Sequence, residues 1–251
     1  ILKDGNSVTD QSGQGNNWTV QGGTLTKTED CPSNVFNNFN KNLGNNLTPG
    51  FTFSNGNNTL AFATPANDSW GYSNFGAFSG KYYAEFKATA FSAHTHYIGV
   101  KFVDSDLTIG NFNNTIILRF AKSGNANAIY SGFTSGFLQE NLTSLSAGDI
   151  IGVACDIGNG TVQFYVNGAT YGNQVTGQAS NFSGKEMQFI VFGEGHGSQS
   201  GRTFTINANF GNGYFGSTVI SSEGTNASGN GIFEYDVPSG FTALSTKGLN
   251  L

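Results

Sequence analysis

Apolar and polar residues alternate with a period of two along several short segments of the chain, which is typical of β-strands. The alternation runs through residues 82–88 and again through residues 204–210, where threonine and asparagine separate the apolar positions and predict one face in contact with solvent. Residues 150–155 and 187–192 are apolar on both faces, which indicates central strands that are covered on both sides. Since no segment has a helical period, the pattern predicts an all-β fold of two packed antiparallel sheets.

The clearest local signal is a hairpin centred on Asn159 and Gly160, which stand between two apolar runs of strand length. Asn-Gly is the pair that a type I′ turn favours, because both of its central residues have positive φ. Asn167 and Gly168 offer a second tight turn, after which a short third strand follows. Residues 148–175 are therefore predicted to form a three-stranded meander.

The composition suits one large β domain preceded by an extended N-terminal arm. The chain has 251 residues, of which 36 are glycine and only 4 are proline, as expected of many short strands joined by turns. Residues 1–45 are rich in turn residues and contain only short strand-like pieces, so we expect an arm there and the sandwich over residues 46–251. Cys31 lies in the arm and Cys155 inside a central strand, so both are predicted to remain thiols.

Charge and hydrophobicity disfavour two classes of partner. The formal net charge is −5 and the chain contains no run of lysine or arginine, so binding to nucleic acid through phosphate contacts is disfavoured. No stretch approaches the roughly 18 consecutive apolar residues of a membrane helix, so membrane insertion is not expected either.

Several segments resemble SPRY (B30.2-like) domains, in the form found in structural proteins of tailed bacteriophages. Residues 148–168 resemble the core hairpin of the family, and Gly-Lys-Tyr-Tyr-Ala-Glu-Phe at residues 80–86 resembles its Gly-Lys-Trp-Tyr-Trp-Glu-Val strand. Tyr-Ile-Gly-Val at residues 97–100 is similar to its Gly-Ile-Gly-Val strand, and residues 208–211 and 237–244 to its closing strands. The resemblance implies a SPRY or concanavalin-like jelly-roll sandwich. Relative to the phage form, the chain has a Gly/Ser-rich insertion at residues 215–233, before the closing strand.

In function, the resemblance implies a virion structural protein of a tailed phage: a tail-fibre, tail-appendage or capsid-surface subunit in the extracellular virion. Its partners would be other virion subunits, further copies of the chain in a homo-oligomer, and a glycan or protein of the host surface. Charged residues make up only 11% of the chain, which suits an exposed assembly subunit. Two other functions stay open at this point: a secreted lectin-like adhesin that binds glycans, and a polysaccharide depolymerase.

Aromatic and histidine residues in polar, glycine-rich loops between the predicted strands are the candidates for a receptor-binding surface. Aromatic rings offer a large contact area at a small cost in conformational entropy. The same rings could instead close the ends of the sandwich, because aromatic residues are mostly buried. The candidates are Trp70, Tyr72, Phe112, Phe133, His196 and Tyr214.

His94 and His96 form a weaker candidate, for a metal site. On a strand, residues two apart share a face, so both imidazoles could bind one ion, and His-x-His sites are known in trimeric phage fibres, which the resemblance makes relevant. The same face continues into apolar residues, so the pair could equally mark the end of the core. No third ligand lies nearby in the sequence.

A search for catalytic motifs finds none. The chain has no Gly-x-Ser-x-Gly elbow, no phosphate-binding loop and no His-Glu-x-x-His motif. Glu85, Glu194 and Glu234 could in principle act as paired carboxylates, but nothing in their spacing holds two of them at the separation that glycoside hydrolysis needs. We therefore expect a protein that is not an enzyme and that uses no cofactor.

Overall fold

Short strands joined by turns make up nearly all of the regular structure. The computed structural model describes residues 8–10, 12–22, 30–31, 33–45, 50–63, 68–91, 95–103, 111–120, 127–194 and 203–250, without the side chains of residues 44, 45, 62 and 63. In chain order the elements are α1 (Lys41–Asn45), β1 (Thr52–Ser54), β2 (Thr59–Ala63), β3 (Ser69–Tyr72), β4 (Lys81–Phe91), β5 (His96–Val103), β6 (Thr115–Phe120), β7 (Asn127–Ser131), β8 (Gly136–Leu142), β9 (Ile150–Asp156), β10 (Thr161–Val166), β11 (Ala169–Val175), α2 (Ala179–Phe182), β12 (Glu186–Gly193), β13 (Thr203–Asn209), β14 (Tyr214–Phe215), β15 (Thr218–Val219), β16 (Thr242–Ala243) and a 3₁₀ turn (Gly248–Asn250).

The strands form two large antiparallel sheets, which confirms the predicted sandwich. The first sheet has the order β1-β2-β13-β4-β9-β10-β11, and β16 adds to β4 in parallel. The second sheet has the order β3-β12-β5-β6-β7-β8. β9 and β12 lie inside their sheets and are buried on both faces, apart from the first residue of β12, as their apolar pattern predicted.

The meander prediction is confirmed in its strands and wrong in one turn. β9, β10 and β11 pair consecutively. The turn whose two central residues both have positive φ is the one between β10 and β11, at Asn167 and Gly168. Between β9 and β10 only Gly160 has positive φ, within a four-residue turn. The Asp156 carboxylate holds that turn by accepting bonds from the backbone and side-chain amides of Asn159, at 2.9 and 2.8 Å. This side-chain bond favours the longer loop over a type I′ turn.

The C-terminal segment, residues 210–250, covers the outer face of the first sheet. The sequence pattern did not predict this. The alternation along β13 placed its asparagines on a face in contact with solvent. In the structure Asn209 is fully buried and donates to the carbonyl of Ile232 at 2.9 Å, while its Oδ1 accepts bonds from two glycine N–H groups. Phe233 packs edge-on against Tyr83 of β4 at 5.1 Å. The insertion therefore forms part of the body of the sandwich.

The last part of the predicted arm also packs against the sandwich. Phe36 and Phe39 are buried, and Phe39 lies edge-on to Phe210 at 5.3 Å. Asn34 donates to Oδ1 of the buried Asn230, which ties the segment to the C-terminal strand region. In its packing, the chain from Asn34 onward belongs with the core.

The prediction for the two cysteines is confirmed by the structure. Cys31 and Cys155 are both thiols, and Cys155 is completely buried. Within the described ranges, no helix has the length and apolarity needed to cross a bilayer.

Candidate functional site

Trp70 and Tyr72, which we placed in a binding loop, lie in strand β3 at the edge of the second sheet. Their side chains are only 4% and 1% exposed. Apolar neighbours on β12 cover them: the Trp70 ring lies 4.6 Å from that of Phe192. The loop placement was wrong because the Gly/Ser/Asn composition of the segment concealed a short strand with a well-packed face. As they stand, the two rings offer almost no surface to a partner.

Phe112 joins the same rings into a row across the outer face of the second sheet. Its ring centroid lies 4.9 Å from Trp70 and 4.8 Å from Tyr97, and the row continues through Tyr130 to Phe137. We call this row the aromatic row. It is buried at Trp70 and becomes exposed at Phe137, whose side chain is 42% exposed and lies under the Arg119 guanidinium at 4.2 Å. The row is therefore buried at Trp70 and Tyr72 and half-buried at Phe112, Tyr97 and Tyr130.

Phe133 lies at one end of the sandwich, beside a polar cleft of about 490 Å³. The cleft is formed where β5 ends, where β6 begins, at the turn between β7 and β8, and at α2 and the residue before β12. We call it the end cleft. Its polar lining includes Lys101, Asn111, Asn113, Asn114, Asn181 and Lys185.

Lys101 holds one wall of the end cleft in place. Its side chain is 4% exposed, and Nζ donates to both the carbonyl and the side-chain oxygen of Asn111 and to the carbonyl of Asn113, at 3.0, 3.1 and 2.9 Å. An ammonium group has three donors, so these bonds use all of them. Lys101 therefore acts as a structural cation that shapes the loop before β6.

The floor of the end cleft is aromatic and rigid. Phe102 stacks on Phe182 of α2 with ring centroids 3.7 Å apart and planes 10° apart, and the half-buried Phe133 lies about 6 Å from both rings. Gly132, the residue before Phe133, packs tightly against the loop before β6: a Cβ atom at this position would lie 1.6 Å from the Phe112 carbonyl oxygen. The turn that carries Phe133 is thus fixed against the opposite wall.

The remaining candidates are scattered. Tyr214 is half-buried in the β14–β15 hairpin, away from the aromatic row and the end cleft. His94 and His196 lie outside the described residues. His96 is fully buried between the sheets, stacked on Phe204 at 4.4 Å, and its ring also lies beside those of Phe91 and Phe120. Among the residues that the structure describes, no three His, Cys, Asp or Glu side chains are grouped as a metal site would require.

Glu85 is the one fully buried carboxylate of β4. It accepts hydrogen bonds from the backbone N–H groups of Glu234 and Tyr235, both at 2.9 Å, and from Asn209 and the Tyr83 hydroxyl at 3.4 and 3.3 Å. Burial raises its pKa to about 7 in spite of these donors. With no exposed surface, Glu85 cannot touch a substrate; it fastens the C-terminal segment to the first sheet.

The raised pKa of Glu85 predicts a pH-dependent stability. The folded protein keeps the Glu85 proton up to a pH of about 7, whereas the unfolded chain releases it near 4.5, so the free energy of unfolding should fall between these values. The expected fall is roughly 3 kcal/mol. Tyr83 and Tyr235, which face the carboxylate, have raised pKa values and stay neutral in this window. Asp156, whose pKa is lowered, titrates below it.

Urea unfolding of the wild type and Glu85→Gln between pH 4.5 and 8 would measure this dependence. The difference between the two proteins isolates Glu85 from other groups that titrate in the same range. Parallel pH profiles would show that the Glu85 pKa is not raised.

The beginning of the arm is an ordered loop built on Asp10. The Asp10 carboxylate accepts bonds from the Ser12 hydroxyl and N–H, at 2.7 and 2.8 Å, and from the Asn16 N–H at 3.0 Å. These bonds, the Ser12 hydroxyl first, lower its pKa to about 2. The loop closes where Trp18 N–H donates to the carbonyl of Val8 at 2.8 Å. It presents the side chain of Trp18, which is 64% exposed.

Sequence reasoning missed the polar residues of the end cleft. Asparagine is so common in this chain that Asn111, Asn113 and Asn181 carried no signal of their own. Lys101 gave a weak one, since a lysine between Val100 and Phe102 interrupts an otherwise apolar run. Trp18 was visible in the sequence as a large apolar residue in a polar segment, but its exposure was not.

Comparison with known proteins identifies the fold. No protein-family model matches the sequence, and no curated protein matches it either. Among solved structures, the SPRY domain of human HERC1 matches with a TM-score of 0.50 at 16% identity, over 68% of this chain and 96% of that domain. Stonustoxin matches with a TM-score of 0.51 at 14% identity over 69% of this chain, which spans 28% of the stonustoxin chain. The TRIM65 PSpry domain gives a TM-score of 0.48 at 12% identity, over 69% of this chain and 88% of that domain.

These identities are low enough that the likeness concerns the fold alone. It agrees with the motifs at residues 80–86, 97–100 and 148–168, which now lie on β4, β5 and the β9–β10 hairpin. None of these structures comes from a phage protein. The chain has the two-sheet β-sandwich fold of SPRY domains.

Proposed function

We propose that this protein is a non-enzymatic structural subunit of an extracellular assembly, namely a tailed-phage virion, in which the sandwich presents its ends for host recognition. The observation that carries the proposal is the ordered loop of the arm with its exposed Trp18. Tryptophan is one of the residue types enriched among the anchors of protein interfaces. A loop whose hydrogen bonds close on themselves and that points an indole outward is suited to insert into a neighbouring subunit.

Two further features support an assembly role. Val20, two residues after Trp18, is 47% exposed, so the apolar side of the loop extends beyond a single ring. The low charged fraction of 11% leaves much of the surface neutral, as in proteins that are largely covered by copies of themselves. The rigid sandwich behind the arm then holds its loops in fixed positions.

Light scattering on the purified chain tests the proposal. We expect a closed oligomer for the full chain and dissociation toward the monomer when residues 1–22 are removed. Trp18→Ala should raise the dissociation constant at least about 30-fold, the effect of losing an interface anchor of about 2 kcal/mol. The deletion stops before Asn34, because the chain from there onward packs on the core.

Phe78→Ala is the matched control, since Phe78 is also 64% exposed but lies on the sandwich. Its oligomer should match that of the wild type. A full chain that is monomeric at high concentration would contradict the assembly role. Labelling of phage particles with antibodies against the chain would then show whether the protein is present on a virion at all.

A further inference from the structure

We propose that the end cleft is a binding site for a saccharide, with the ring of one sugar unit lying on Phe133 and its hydroxyl groups bonded to the surrounding asparagine amides. This inference deepens the recognition role proposed above by naming the ligand class and its site. Trp70 and Tyr72, two of the candidates for a receptor-binding surface, do not line this cleft.

The first argument is the chemistry of the lining. A sugar hydroxyl both donates and accepts hydrogen bonds, and a primary amide offers both functions in one group. Within the part of the chain that the structure describes, the side-chain amides of Asn113 and Asn114 have no hydrogen-bond partner, although both line the cleft. Asn111 uses its Oδ1 and Asn181 its Nδ2 for internal bonds, which leaves one nitrogen to donate and one oxygen to accept.

The second argument concerns charge. Lys101 has all three donors engaged with the loop before β6, so it cannot serve as the receptor of a multiply charged anion. Lys185 bonds to the Asn181 carbonyl at 2.8 Å with one donor and can turn others to a ligand. The lining thus suits a neutral sugar or one that carries a single carboxylate, and it suits a phosphate-rich ligand poorly.

The third argument is shape. A volume of about 490 Å³ lies within the range of ~300–1,000 Å³ typical of small-ligand sites. The walls are already fixed, on one side by the Lys101 bonds and on the other by the close fit of Gly132, so little ordering is needed when a ligand binds. The half-buried Phe133 ring supplies the apolar face on which the C–H side of a sugar can lie.

An array of neutral and carboxylated mono- to tetrasaccharides, followed by calorimetry on the best binder, tests the proposal. We expect a saccharide to bind the wild type, and Asn113→Ala to weaken that binding at least tenfold. Phe133→Leu, which keeps an apolar contact with Phe102 but removes the aromatic face, should weaken it at least fivefold. Asn173→Ala is the control, because Asn173 is also an exposed asparagine but lies on β11, away from the cleft lining.

Two results would overturn the site: no saccharide bound at millimolar concentration, or binding that neither Asn113→Ala nor Phe133→Leu changes. The proposed assembly role fails separately. An oligomer that binds no sugar contradicts only the end cleft, and a monomer whose sugar binding depends on Asn113 contradicts only the assembly.

Discussion

Glu85→Gln is expected to lower the free energy of unfolding at pH 5 by roughly 3 kcal/mol. At that pH Glu85 holds its proton, so the substitution leaves charge and size nearly unchanged. Only the hydrogen-bonding pattern differs. A protonated carboxyl oxygen can donate to the Tyr83 oxygen and still accept from a backbone N–H, whereas an amide nitrogen cannot accept.

Both oxygens of Glu85 already receive a backbone donor, Oε2 from Glu234 and Oε1 from Tyr235. Whichever way the glutamine amide turns, its NH₂ group faces one of these N–H groups. The N–H is then buried without an acceptor, and the C-terminal segment loses part of its attachment to β4. For a chain of this size, the melting temperature should fall by about 6–12 °C.

Glu140→Gln is the control for this experiment, since Glu140 is exposed on the edge strand β8. Its effect should stay within about 0.5 kcal/mol, the usual range for surface substitutions. Chemical denaturation of both variants at pH 5 provides the measurement. A loss below about 1 kcal/mol for Glu85→Gln would mean that the carboxyl does not hold the C-terminal segment.

Gly132→Ala is expected to destabilise the protein by at least about 2 kcal/mol and to abolish ligand binding in the end cleft. A methyl group at this position would lie 1.6 Å from the Phe112 carbonyl oxygen and 2.8 Å from Thr115 Oγ1. The turn must move outward. That movement breaks the 2.8 Å bond from Gly132 N–H to the Thr115 carbonyl and displaces Phe133 from the cleft.

Gly136→Ala offers a matched comparison at the other end of the same turn. There a methyl group would meet only the Thr134 carbonyl oxygen, at 3.9 Å, which is an ordinary contact. We expect no change above about 0.5 kcal/mol for this variant in thermal unfolding. Equal stability of the two alanine variants would show that the β7–β8 turn is not fixed against the loop before β6.

Much of the fold could be predicted because each strand carries its own pattern of apolar and polar residues. The double-sided apolar runs identified β9 and β12 as interior strands, and the meander followed from turn residues between apolar segments. Errors arose where one segment covers another. The polar face of β13 predicted solvent contact, yet Asn209 is buried beneath the C-terminal segment. A period of two reports which side chains share a face, and it carries no information on what later covers that face.

The candidate sites were less predictable than the fold. Of the six binding candidates, the structure brings Trp70, Tyr72 and Phe112 together in the aromatic row, where Trp70 and Tyr72 are buried, and it places Phe133 beside the end cleft. The asparagine amides of that cleft come from two separate connections along the chain: Asn111, Asn113 and Asn114 from the one before β6, and Asn181 from the one before β12. Each is one of many asparagines in the chain, and only their convergence makes them a candidate site.

By itself, the sequence determined the strand pattern, the two-sheet class, the thiol state of both cysteines and the absence of a recognisable catalytic motif. These properties depend on neighbours in the chain, which composition and periodicity record. The tertiary structure alone decided that Glu85 is buried under the C-terminal segment, that Trp18 projects from a loop closed around Asp10, and that four asparagines surround one cleft. They depend on contacts between residues distant in the chain, because burial and the choice of hydrogen-bond partners are set only when the two sheets and their coverings pack together.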